Sequence, residues 1–278
     1  MDIRIINETP PWDWPEDTGE TLMRVLRDRR SSEADRLLAA ELAGNPVVIK
    51  DPIADLLLSI VQNADEPEQL RATAAISLGP VLQQTEDDGF DDDGFTEPLI
   101  SEMMFDRIRA TLRRVHEDES APKTLRRRVL EASVRAPQEW HKAAIRDAFA
   151  RADDDEWQLT AIFCTRWVRG FDAKILKMLE SPSAEVKREA ILAAGNWEVK
   201  GAWPHVRSVL ASEAPEKFLL LAAIEAAGTM GAEKEEEAGP LLAELSESED
   251  EDIAEAASDA LLMADLDIDG DEDEDSPF

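Results

Sequence analysis

The sequence predicts an all-α protein, a right-handed solenoid of about seven antiparallel helix pairs. Three observations predict it. A ten-residue phrase returns along the chain: LRATAAISLG at 70–79, VKREAILAAG at 186–195 and LLLAAIEAAG at 219–228. Gly195 and Gly228 stand 33 positions apart, a period typical of helical-repeat arrays. The 43% hydrophobic content is mostly Ala and Leu, with 5% aromatic residues, and that balance favours helix over strand.

The phrase sets a register for the second helix of each pair. Its first positions are Leu70, Leu125, Trp157, Val186, Leu219 and Ile253, at steps of 55, 32, 29, 33 and 34 residues. Four places on stand Ala74, Val129, Ala161, Ala190, Ala223 and Ala257. Seven places on stand Ser77, Ala132, Cys164, Ala193, Ala226 and Ala260. Small residues at this spacing share one narrow helix face, against which a neighbouring helix packs closely. Residues 35–44, DRLLAAELAG, form a weaker copy. The first helices are expected at about 19–30, 52–63, 99–115, 138–151, 172–180, 204–211 and 238–246. Asp51-Pro52 and Trp203-Pro204 place proline in a first turn, where its missing N–H costs nothing. Gly79, Gly195 and Gly228 are expected to end second helices as C-terminal glycines.

The phrases at 70–79 and 186–195, with the lead-in SPSAEVKREA at 181–190, resemble the second helix of a HEAT repeat. The resemblance spans about residues 19–264 and departs from the pattern at Leu220 and at Arg166, which stands in place of glycine. It implies stacked helix pairs whose second helices line a concave side, and a role in binding proteins. It also implies that Arg71, Arg126 and Lys187, each just after a first position, bond neighbouring acids and backbone carbonyls.

Composition divides the chain further. Residues 1–17, with Trp12, Trp14 and three of the prolines, are expected to form an extended cap on the first pair. Helix pairs occupy 18–84 and 99–265. The Asp- and Gly-rich stretch 85–98 is expected to be a mobile insertion, and 266–278 a disordered acidic tail.

The net charge is −32. It argues against general affinity for nucleic acid or an anionic membrane, both of which repel an acidic surface. Arg outnumbers Lys by 21 to 9, an acid-rich, Lys-poor balance also found in proteins adapted to high salt. Residues 232–278 hold twenty acids and one base, Lys234, whereas residues 105–151 hold twelve bases and seven acids. Within that basic stretch Arg107, Arg113, Arg114, Arg127 and Arg128 are candidates for meeting a partner of acidic character, Arg107 and Arg127 being freest of structural duty. Cys164 is the one cysteine, so no internal disulfide is expected. The opening residues lack a signal-peptide pattern, and a cytoplasmic location is the expectation.

Catalytic constellations are weak. Asp265, Asp267, Asp269, Gly270, Asp271 and Asp273 have the spacing of a calcium loop, but Ser276 holds the place of the bidentate Glu. His116-Glu117 resembles the dipeptide that HEAT-type deoxyhypusine hydroxylases carry in four copies; one copy cannot supply that di-iron centre. Trp140, Trp157 and Trp167, near Arg126, Arg127, Arg128 and Arg169, resemble the ingredients of HEAT-like alkylpurine DNA glycosylases. Bilin-lyase-like HEAT proteins share the repeat without a diagnostic motif. The expectation is a non-enzymatic scaffold with no cofactor or metal, binding a protein or peptide along its concave side. The alternative is a HEAT-type enzyme of one of the last two kinds.

Overall fold

The computed structural model describes residues 2–90, 98–212, 214–230 and 235–270, with the backbone alone at 235–237 and 264–270. All regular structure among the described residues is helical. The chain divides into two compact units, Met1–Ala144 and Ile145–Phe278.

In the first unit the helices are α1 (Ile3–Glu8), α2 (Thr18–Arg27), α3 (Glu33–Leu42), α4 (Asp51–Gln62), α5 (Glu68–Ile76), α6 (Gly79–Asp88), α7 (Glu102–Glu117) and α8 (Lys123–Ser133). The pairs α2/α3, α4/α5 and α7/α8 pack as units. The second helices α3, α5 and α8 stack successively, and the first helices α2, α4 and α7 form the other layer. Leu22, Leu26, Leu57, Leu58, Leu70 and Leu82 fill the space between the layers with almost no exposure.

The N-terminal cap is helical rather than extended. Asp2 caps α1 by accepting from Arg4 N–H, Ile3 and Ile6 are buried, and Pro11–Asp13 make a short 3-10 turn. Trp14 Nε1 donates to the carbonyls of Ile6 and Thr9 at 3.0 and 2.8 Å and ties the segment together. One i, i+3 pair of isoleucines sufficed to make a helix here, because docking on α3 supplies what so short a helix lacks alone. The insertion begins later than composition indicates: residues 85–88 complete α6, and Phe90 packs on Phe105. Residues 91–97, where the mobile insertion was expected, lie outside the described residues.

In the second unit, α9 (Glu139–Ala150) leads in from the first, followed by α10 (Asp155–Cys164), α11 (Asp172–Leu179), α12 (Ala184–Asn196), α13 (Trp203–Leu210), α14 (Lys217–Thr229), α15 (Glu235–Leu245) and α16 (Glu251–Gly270). The second helices α10, α12, α14 and α16 stack in order. Lys217 links one repeat to the next, bonding Asp250 at 2.7 Å and Asp252 at 2.6 Å across 33 and 35 residues of sequence. The helix α16 runs to Gly270, past the expected start of the acidic tail; residues 271–278 lie outside the described residues.

The phrase glycines do not end their helices. Gly195 lies within α12, Gly228 within α14, and Gly79 opens α6. None has the positive φ of a C-terminal glycine; Gly89, Gly170 and Gly201 do. They are needed for closeness instead. A Cβ on Gly195 would lie 2.8 Å from Ala226 Cα and 2.9 Å from its Cβ, and one on Gly228 would lie 3.0 Å from both atoms of Ala260. In the first unit a Cβ on Gly79 would meet Arg135 Cδ at 2.9 Å and Ala132 Cα at 3.4 Å. Ala74, Ala161, Ala190, Ala223 and Ala257 are fully buried at their repeat positions.

A second regularity binds the two helices in four of the pairs; Lys187, expected to act likewise, makes no such bond among the described residues. Arg36, Arg71 and Arg126 each send Nε to the carbonyl ten residues earlier, Leu26, Val61 and His116, at 3.2, 3.0 and 2.9 Å. Gln158 does the same from α10 to Ala148, and adds Phe149 and Arg151. These carbonyls are the orphan acceptors at first-helix C-termini, where a cation also opposes the helix dipole. Arg36 additionally reaches forward to Glu66 at 2.6 Å, and the guanidinium holds the Glu66 carboxyl below its ordinary range.

His141, in the first turn of α9, is fully buried. Its Nδ1 accepts from Gln138 N–H at 2.8 Å, so Nε2 carries the proton and donates to Ser133 Oγ at 3.0 Å. Burial, with His116, Arg109 and Arg113 nearby, pushes its pKa from 6.5 down to about 3.

Three outcomes are expected. Gly195→Ala and Gly228→Ala should each cost about 1–3 kcal/mol in denaturant unfolding by overpacking. Gly239→Ala, in α15 with nothing within 4 Å, should be neutral or gain up to about 1 kcal/mol from helix propensity. Equal behaviour of all three would break the close-approach account. Arg71→Met should cost about 1–3 kcal/mol by stranding the Val61 carbonyl; a parent-like melt would remove the cap from the energetics. For His141 the unfolded state binds the proton below pH 6.5 and the folded state only near 3. Stability is therefore complete above pH 6.5 and falls on acidification through that window, by about 2 kcal/mol at pH 5. His141→Gln should flatten this part of the stability–pH curve, measured by urea unfolding at stepped pH.

Candidate interaction surface

The basic stretch does not form one free ridge. Arg107 and Arg114 lie on α7 and turn to α4, Arg107 to Asp55 at 2.6 Å and Arg114 to the Gln62 side chain at 2.9 Å. Arg113 bonds Glu117 one turn on, at 2.8 Å. Arg128, on α8, covers the buried Glu131 at 2.6 Å. Arg127 is only 6% exposed, so the expectation that it is the freest to meet a partner is wrong. It stands two places after the first position of its phrase, on a side of α8 that packing covers. Arg107 and Arg113 keep half their surface in water, where such pairs contribute little and exchange readily.

The tryptophans also separate. Trp157 is core, at 3% exposure. Trp140 lies against His141 and His116, with ring centroids 3.9 and 5.4 Å away, and its Nε1 bonds the Gln138 side chain. Trp140 and Trp167 are both half-buried, and Trp167 belongs to a half-open aromatic surface.

That surface gathers at the C-terminal ends of α10 and α12, in the second unit. Phe163 and Trp167 pack at 4.9 Å between centroids, and the Arg166 guanidinium lies 5.1 Å from the Trp167 ring. Arg169 lies 4.6 Å over Trp197. Trp197 Nε1 donates to Thr165 O at 2.6 Å, and Asn196 Nδ2 to Arg166 O at 3.2 Å, which fixes the two helix ends to each other. Arg166 also reaches Glu189 at 3.6 Å and Glu225 at 3.8 Å. Glu189 is buried, bonded by Arg188 as well, and burial raises its pKa against the pull of both guanidinia.

This cluster was not assembled from the sequence. Its signal was present as Arg166, the departure from glycine in the repeat. A glycine there would allow close approach; an arginine instead stands over the end of its helix and carries aromatic neighbours with it. No cluster of three or more His, Cys, Asp or Glu residues that could hold a metal occurs among the described residues. Nor is any described helix long and apolar enough to cross a membrane.

No curated protein matches the sequence. Among solved structures the chain is similar to Escherichia coli YibA, with 18% identity, a TM-score of 0.45, and 91% of this chain and 84% of that one covered. It is also similar to human deoxyhypusine hydroxylase in complex with glycerol, with 14% identity, a TM-score of 0.42 and coverages of 92% and 87%. Residues 173–262 match the family model described as HEAT repeats. They span α11 to most of α16, the helices whose second members stack through Gly195 and Gly228. This protein carries a HEAT repeat domain.

Proposed function

We propose that this protein is a non-enzymatic scaffold that binds a protein or peptide through the second-helix face of its repeats, with the cluster of Phe163, Arg166, Trp167, Arg169 and Trp197 as the anchor. The observation that carries the reading is the composition and state of that cluster. Aromatic rings and guanidinia are the side chains that dominate binding energy at protein interfaces. Here Trp197 is fixed by its bond to the Thr165 carbonyl, and the guanidinia of Arg166 and Arg169 lie over the Trp167 and Trp197 rings. Pre-ordered side chains lose little freedom on binding. Arg169 is exposed and suits a carboxylate of an acidic partner. The overall charge of −32 disfavours the DNA-directed alternative.

The test is quantitative affinity capture from native lysate with the parent, Trp167→Ala and Arg169→Glu, beside a gel shift with duplex DNA at low salt. A partner captured by the parent and reduced about tenfold or more by each variant, at parent-like helicity, is expected. Undiminished capture by both variants overturns the anchor. A DNA shift lost in the same variants overturns the scaffold reading in favour of the enzyme.

A further inference from the structure

We propose that the groove between α9 and α11 is a docking site for a phenylalanine presented by an acidic segment of another protein. It lies on the first helices, so it is independent of the second-helix anchor. The groove is a cavity of about 350 Å³, at the small end of ligand pockets and suited to one aromatic side chain. Phe149 and Phe171 form its walls, 6.0 Å apart and inclined by 39°. Ala173 leaves it open at the rim, and Arg146 and Lys174 flank it.

The charge of the groove is the unusual feature. Both flanking residues are exposed cations, and neither has an ion-pair partner among the described residues, in a chain of net charge −32. Lys174 Nζ lies 5.4 Å from the Phe149 ring centroid. No carboxylate lines the groove. Two other cavities differ: one is lined by Asp155, Glu156 and Glu185 beside Lys177, and another includes Glu41. A site with aromatic walls and only positive charge at its mouth selects a ligand with an apolar ring and flanking negative charge. The cations steer it in, and the rings bury its apolar part.

The first unit contains a related contact. Phe90 follows Glu86, Asp87 and Asp88, all exposed. Its ring meets Phe105 edge-on, with centroids 5.5 Å apart and planes at 69°. The Arg109 guanidinium lies 4.9 Å over that same Phe105 ring. An acid-led phenylalanine therefore sits on a phenylalanine that carries a cation on its face. In the α9–α11 groove Lys174 likewise lies over Phe149, whose ring already meets Phe171, and the cavity stands beside that pair.

The experiment is fluorescence anisotropy with the full chain and a short labelled peptide of Asp and Glu around one central Phe, at low and high salt. Two control peptides replace the Phe by Ala, or the acids by Asn and Gln. Binding by the parent is expected, about tenfold or more weaker for each control peptide and weaker in high salt. Arg146→Glu with Lys174→Glu should lose binding, and Ala173→Trp should lose it by filling the groove while preserving both cations. These positions are on the surface, and circular dichroism melts confirm the fold. Arg169→Glu should bind the peptide as the parent does. Absence of binding to the parent, equal binding of the Phe→Ala peptide, or parent-like binding by both groove variants overturns the proposal. So does loss in Arg169→Glu with retention in the groove variants, which places the peptide on the other surface.

Discussion

Successive second helices in this protein approach so closely that some positions have no room for a Cβ. Gly195 faces Ala226 and Gly228 faces Ala260, each pair one repeat apart. Helices usually pack 8–10 Å apart, according to the side chains at the contact, and small residues on both sides bring them to the short end of that range. This constraint governs much else. It explains why the phrase carries Ala at its fourth and seventh steps and why the bulky apolar residues lie between the two layers. It also makes each pair depend on its neighbours, as in other repeat arrays.

Charge is handled by the same geometry. First helices end where the following second helix begins, so a side chain at the fourth residue of that helix reaches the free carbonyls. Arg36, Arg71, Arg126 and Gln158 all do so across an equal span of sequence. At α10 a neutral glutamine donates to the carbonyls that arginine meets elsewhere. Other arginines hold buried carboxylates, as Arg128 holds Glu131 and Arg188 holds Glu189. A large part of the basic stretch is thus engaged inside the fold, although exposed pairs such as Arg107–Asp55 remain easy to exchange.

One of the two departures of the repeat from its own rule has surface character, while the other, Leu220, is buried. Arg166 replaces the phrase glycine, and around it Phe163, Trp167, Trp197 and Arg169 assemble. Local rules of packing are broken most often where a protein acts rather than where it merely folds. The α9–α11 groove follows a similar logic. Its two cations have no ion-pair partner among the described residues and lie beside aromatic walls, in a chain of net charge −32.

The sequence alone was enough for the helix pairs, their order and their register. Apolar periodicity and the recurring small residues are local signals that survive folding unchanged, and the seven observed pairs fall on the expected segments, while α1 and α6 were not expected. Trp157 and Cys164, which the register puts at its first and seventh-step positions, are both buried. The short helix at Ile3–Glu8, the role of the phrase glycines and the burial of Arg127 were decided by tertiary structure. A six-residue helix depends on what it docks against. A glycine at the end of a phrase reads alike whether it terminates a helix or admits a neighbour. An arginine's exposure depends on which side of its helix the next repeat covers. The aromatic and cationic side chains at Trp197 and Arg169 lie on different repeats, and only stacking brings them together.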